Sequence, residues 1–192
     1  TTHQVALWAA CLRHFGLEQP ISHEPLPRPT PADRAPIGLI AGSENTPAKR
    51  WPVAHWRALV AALPQERFVL FGTANDRAIT SEIARGFGDE RIEDLAGGTD
   101  LPQYMERLRG CALLVSNDTG GMHLANALGV PVVALFGPTN PLRTGPTFEA
   151  VRVILQPPGC APTGGADLAQ LEPSVVVDAI ARLRAGSPAV AV

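Results

Sequence analysis

The stretch Asn117-Asp118-Thr119-Gly120-Gly121, with His123 two residues further on, carries more chemistry than a turn requires. It lies where the apolar run "ALLVS" ends and a helical pattern begins, so it marks a strand-to-helix junction. Helix amino termini offer unpaired N–H groups and the positive end of the helix dipole, an arrangement that favours anions. Gly120 and Gly121 expose that backbone, and Thr119 and His123 add donors at the same place. A diphosphate fits this set. Asp118 would repel an anion as a direct ligand and is assigned to orienting the loop or meeting sugar hydroxyls. The alternative is structural: Asp118 or Thr119 caps the helix, and the glycines let the turn close.

Three further junctions carry similar residues. In "GSENTPAKRWP", Ser43 and Thr46 offer hydroxyls, and Lys49 is the only lysine of a chain with sixteen basic residues. A compact point charge among arginines suits phosphate oxygens; the bland alternative is a solvated lysine in a turn. Lys49 has no assigned partner, so its removal is expected to leave folding stability almost unchanged. In "FVLFGTANDRAI", Asp76 follows Gly72 and is suited to hold a ribose diol, since a carboxylate accepts from two hydroxyls. As an early-helix acid it would instead complement the dipole. In "DLAGGTDLPQYM", glycines precede the helix start Asp100-Leu101-Pro102 and offer backbone edges to a base.

The elements that must position these residues are legible in the hydrophobic pattern. Apolar runs "IGLIA", "RFVLF", "RIEDLA", "ALLVS", "VVALF" and "VRVIL" alternate with helical stretches around 53–63, 75–85, 101–109 and 121–128, and a last helix spans Pro173 to Arg184. That alternation predicts an α/β fold with a doubly wound, mainly parallel sheet. Ligands of such sheets bind outside the carboxyl ends of the strands. Residues 3–15 carry a stripe of Val5, Trp8, Leu12 and Phe15 that needs a cover, stopped by Gly16. Six prolines from Pro20 to Pro36 make an extended linker, which sets a boundary between residues 1–36 and a domain over 37–192.

Composition narrows the classes. A chain of 192 residues suffices for one α/β domain with an appendage, and its formal charge of −2 gives no reason to expect nucleic acid as a partner. Cys11, Cys111 and Cys160 follow no metal-ligand pattern, suit a reducing compartment and are read as packing residues. No metal or other cofactor is expected. No apolar run approaches a membrane span and no signal peptide is visible. The start at Thr1 is that expected of a fragment or processed product. A dehydrogenase-type domain would share the sheet, but its G-x-G-x-x-G turn is missing, as is a G-x-x-x-x-G-K-[ST] phosphate loop.

Together, "GSENTPAKRWPVAHWRALVAAL", "LAGGTDLPQYMERLRGCALLVSNDTGGMHLANALGVPVVALFGPTNPLRTGP" and "LAQLEPSVVVDAIARL" resemble the heptosyltransferases of lipopolysaccharide core assembly, glycosyltransferase family nine. The resemblance runs from Ile37 to Leu183. It implies the carboxyl-terminal, Rossmann-like half of a GT-B enzyme, which holds a nucleotide-sugar donor, typically ADP-L-glycero-D-manno-heptose. Ser43, Thr46 and Lys49 match the family's phosphate-side residues, Asp76 its ribose acid, and Thr99 and Leu101 its base pocket. Asp118, Thr119, Gly120, Gly121 and His123 match its diphosphate and sugar loop. The family's general base for inverting, metal-independent transfer lies in an amino-terminal acceptor domain that this chain lacks. The chain alone is therefore expected to bind donor without turnover, with the lipid A and core oligosaccharide acceptor reached through the other domain. A cytoplasmic location follows, peripheral at the inner membrane for the longer enzyme. Asn140 stands where an aspartate is common, and Ala41 where a proline or histidine is. A non-catalytic nucleotide-sugar module, or a transferase using another nucleotide sugar, are the alternatives.

Overall fold

The computed structural model describes residues 1–18, 20–44 and 46–185, so the last seven residues of the expected 37–192 domain lie outside the described residues. In chain order the elements are α1 (Gln4–His14), β1 (Ile37–Ile40), α2 (Val53–Ala62), β2 (Phe68–Phe71), α3 (Arg77–Ala84), β3 (Ile92–Asp94) and α4 (Leu101–Gly110). There follow β4 (Leu113–Asn117), α5 (Gly120–Ala127), β5 (Val132–Leu135), α6 (Pro141–Thr144), β6 (Arg152–Leu155) and α7 (Pro173–Arg184). The six strands form one sheet in the order β3-β2-β1-β4-β5-β6, and every neighbouring pair is parallel. The strand order reverses between β1 and β4, and a crevice opens there at the carboxyl ends.

Alternation along each strand sends side chains to two separate cores. Ile37 and Leu39 of β1, with Phe68 and Leu70 of β2, pack on Trp56 and Leu59 of α2, Ile83 of α3, and Val176 and Ile180 of α7. Ile40, Val69, Phe71 and Leu114 face the other way, onto Leu108 of α4 and Met122 and Ala125 of α5. Both faces are covered, which is why the strands read as continuous apolar runs. The predicted helix over 75–85 begins as a 3-10 turn, Ala74–Asp76, before α3.

The appendage differs in part from expectation. None of the residues of α1 is buried, and Trp8 and Phe15 remain 61% and 74% exposed, so the stripe has no cover among the described residues. The proline segment forms no helix or strand, yet it is strapped to the body. Leu26 N donates to Ala127 O at 2.8 Å, Glu149 N donates to His23 O at 2.8 Å, and the Arg28 guanidinium donates to the carbonyls of Arg109 and Cys111. The reading of all three cysteines as packing residues is corrected: Cys111 is buried, Cys160 half-buried and Cys11 exposed. Cys11 lies on α1, of which no residue is fully buried.

Asn117, at the end of β4, is fully buried and ties three segments together. Its Oδ1 accepts from Trp51 N at 3.2 Å, and its Nδ2 donates to Ala41 O at 2.8 Å. Truncation strands both backbone groups in a site closed to water. Asn117→Ala is expected to lower folding stability by roughly 1–3 kcal/mol for each group left unpaired, read as a lower urea midpoint with an unchanged slope.

Candidate functional site

At the carboxyl ends of β1, β2 and β4 lies a cavity of about 520 Å³. Among its lining residues are Ser43, Asp76, Thr99, Leu101, Thr119, Gly120 and Gly121. Seven of the eleven residues singled out from sequence therefore share one crevice. A larger cavity, about 1120 Å³, lies at the opposite end, between the proline segment and α4, with Pro36, Arg67 and Gly110 on its wall. Those residues precede β1, β2 and β4, so that space is at the amino-terminal ends of the strands, away from the switch point.

The crevice has two polar ends. At one, Thr119 occupies the N-cap position of α5, but its side chain makes no cap hydrogen bond; its Oγ1 lies 3.5 Å from Ser116 Oγ. Asp118 does not cap the helix either. Its Oδ2 accepts from Lys49 Nζ at 2.7 Å, with Asp118 only 6% exposed. Neither capping alternative describes this junction. The N–H groups of Gly120 and Gly121 consequently have no partner among the described residues. At the other end, Asp100 and Gln103 form a reciprocal capping box at the start of α4, and Leu101, 63% exposed, faces the crevice.

Asp76 makes a local cap and keeps one carboxylate oxygen free of protein partners among the described residues. Its Oδ2 accepts from Thr73 N at 2.8 Å and from Thr73 Oγ1 at 2.9 Å, a local cap. Its Oδ1 has no hydrogen-bond partner among the described residues and lies against Gly42, where any Cβ would collide with it. Gly42 is thus required by the carboxylate. Ser43 is buried, and its carbonyl accepts from the Arg50 guanidinium at 2.9 and 3.3 Å, which fixes the loop after β1. Thr46 precedes the 3-10 turn Pro47–Lys49 and does not line the crevice. His123 lies on the first turn of α5, beside Asp118, Lys49 and His3. Burial pushes its pKa below the ordinary 6.5; Asp118 opposes that shift, and His3 and Lys49 add to it.

The sequence matches the family model for glycosyltransferase family 9 (heptosyltransferase) over residues 13–169. The chain belongs to this glycosyltransferase family. It is 41% identical over 128 residues to lipopolysaccharide heptosyltransferase 2 of Escherichia coli strain K12, an overlap of 64% of this chain and 37% of that protein. The solved structure of E. coli ADP-heptose lps heptosyltransferase II superposes with a TM-score of 0.72 at 30% identity, covering 93% of this chain and 51% of that one. E. coli heptosyltransferase WaaC with ADP superposes at 0.68 and 28% identity, covering 79% and 45%. The chain thus spans about a third to a half of the length of the relatives it matches.

Within this family 9 chain, sequence reasoning missed Glu44, Thr73 and Tyr104 on the crevice wall and Arg50 behind it. Tyr104 had a legible signal: it follows Leu101 by three positions and shares its helix face. Asn140 accepts from Leu142 N at 2.9 Å as the cap of α6, a bond an aspartate could also make.

The ion pair corrects the expectation that Lys49 has no partner. Lys49→Ala leaves a buried carboxylate unpaired, so we expect a stability loss of about 1–3 kcal/mol. Lys49→Ala/Asp118→Ala should lose less than the sum of the two single changes. A double-mutant cycle in urea checks this, and strict additivity would contradict the pairing.

Proposed function

We propose that this chain is the donor-holding half of a GT-B heptosyltransferase, binding ADP-heptose through the crevice at the β1/β4 switch point. The observation that carries the reading is the uncapped start of α5. Two unpaired N–H groups, Thr119 and His123 surround the spot where a diphosphate gains from the helix dipole. Lys49 and Asp118 lie beside it, and Asp76 offers a free acceptor further along the crevice. Leu101 gives the base an apolar face, and Thr99 and the backbone near it give polar edges. Ser43 and Thr46 complete the phosphate side of the assignment. The division at Pro36 between connector and donor domain, and the absence of the acceptor-binding domain from residues 1–192, belong to the same proposal.

The chemistry asked of these residues is electrostatic. In an inverting transfer the acceptor hydroxyl attacks the anomeric carbon as the bond from that carbon to the diphosphate breaks. The diphosphate leaves with the electron pair, and the hydroxyl proton passes to a general base. Donors aimed at the diphosphate stabilise the charge that grows there and need no metal to do so. The base is assigned to the acceptor domain, as is the lipid A and core oligosaccharide partner. The chain alone therefore binds donor and transfers nothing. The same reading puts the protein in the cytoplasm, at the inner face of the membrane; among the described residues no helix is long and apolar enough to cross one.

Calorimetry with ADP, UDP and GDP tests the base assignment: ADP should bind best, and heat with UDP but none with ADP would refute it. His123 gives an independent test. Its pKa lies below the ordinary 6.5 in the fold, so the unfolded state binds more protons and stability falls as pH drops below about 6.5. A diphosphate beside the ring favours the charged form. NMR titration should find the His123 pKa raised by pyrophosphate, and an unmoved value would separate His123 from the anion.

A further inference from the structure

Tyr104, the chain's only tyrosine, belongs to none of the groups assigned so far. It lies one turn into α4 from Leu101, half-buried, with its ring edge-to-face on Phe71 at 5.2 Å and 75°. That contact aims the hydroxyl beneath the first turn of α5: a Cβ on Gly121 would fall 2.5 Å from Tyr104 Oη and 2.5 Å from Ile40 Cδ1. Tyr104 lines the same crevice as Asp76. Its Oη makes no hydrogen bond among the described residues, although the ring is anchored in the core. An anchored hydroxyl that opens onto the crevice with no protein partner is placed to bond a ligand.

The position says which part of a ligand meets it. If the base rests at Leu101 and the diphosphate at Gly120 and Gly121, the sugar between them must pass over Tyr104, which touches Gly121 and shares a helix face with Leu101. Asp76, on the same wall, has a free acceptor oxygen. A ribose hydroxyl both donates and accepts, and the two side chains complement it: Asp76 accepts a hydrogen bond from the hydroxyl, and Tyr104 O–H donates one to its oxygen. Burial and the neighbouring Cys111 and Asp76 push the tyrosine pKa upward, so the group remains a donor.

We propose that Tyr104 is a specificity residue that donates a hydrogen bond to a ribose hydroxyl of the bound nucleoside diphosphate, opposite Asp76. The assignment rests on the donor-site reading above. It adds discrimination between ribose and deoxyribose, which the backbone donors at α5 cannot supply.

The test compares ADP, 2′-deoxy-ADP, 3′-deoxy-ADP and pyrophosphate on the wild-type chain and on Tyr104→Phe. Wild type should bind ADP about three- to tenfold more tightly than at least one deoxy analogue, the range a neutral hydrogen bond gives. Tyr104→Phe should weaken ADP by a similar factor, narrow its advantage over that analogue and leave pyrophosphate binding unchanged. Its melting temperature should not fall, because the ring still packs on Phe71. Wild type binding ADP and both deoxy analogues equally would overturn the proposal without recourse to any variant. So would a Tyr104→Phe protein that binds ADP like wild type, or one that loses equally for ADP and pyrophosphate. If wild type binds pyrophosphate but no ADP, the donor-site reading falls, and this inference with it.

Discussion

The geometry of the crevice depends on one buried side chain, Asn117. It holds the carboxyl end of β4 to that of β1 through Ala41 and draws in the backbone at Trp51. Trp51 is in turn fixed by its own Nε1, which donates to Leu171 O at 2.8 Å. The loop between Gly42 and Trp51 is therefore pinned at both ends, and Lys49, two residues before Trp51, reaches Asp118, the residue after Asn117. A parallel sheet alone leaves the loops beyond its strand ends free to choose a path. Here a buried amide chooses it, and it does so at the point where strand order reverses.

That arrangement also explains why a polar cluster can be left short of partners. The uncapped helix start and the Tyr104 hydroxyl both open onto the crevice, where solvent can meet them. Their surroundings are fixed by the two cores and not by bonds within the site itself. Gly42 and Gly121 contribute by omission: at each, a Cβ would strike a side chain of the crevice, Asp76 at one and Tyr104 and Ile40 at the other. The glycines serve side-chain positions as much as backbone approach.

Much of this was legible in the sequence because it follows from local periodicity. The six apolar runs became six strands, and the helix from Pro173 to Arg184 has the expected bounds, because both faces of the sheet are covered and α7 has one stripe to bury. The polar residues of the strand ends could be read as neighbours, since a parallel sheet brings its carboxyl ends together. Contacts across long separations could not. Lys49 and Asp118 are 69 positions apart, and nothing in either motif announces that one neutralises the other. The strapping of the proline segment by Arg28 has the same character: it depends on the carbonyls of Arg109 and Cys111, which no pattern reveals. Composition predicts a segment without helix or strand, which the described residues show, and is silent about what it lies on.

The Lys49–Asp118 pair, beside the crevice and not on its wall, bears on how the charge near the start of α5 should be counted. Lys49 read alone is a positive charge waiting for phosphate; paired with Asp118 it is close to neutral from a distance. An anion that arrives meets a lysine whose position is already fixed, and it must share that lysine with a carboxylate. Preorganisation lowers the entropy that binding must overcome, whereas the shared carboxylate lowers the Coulomb gain. The remaining attraction then falls to groups with no such competitor, the two glycine N–H groups and the dipole of α5. On the proposed donor-site reading, the helix start, and not the chain's only lysine, would carry most of the attraction for the diphosphate.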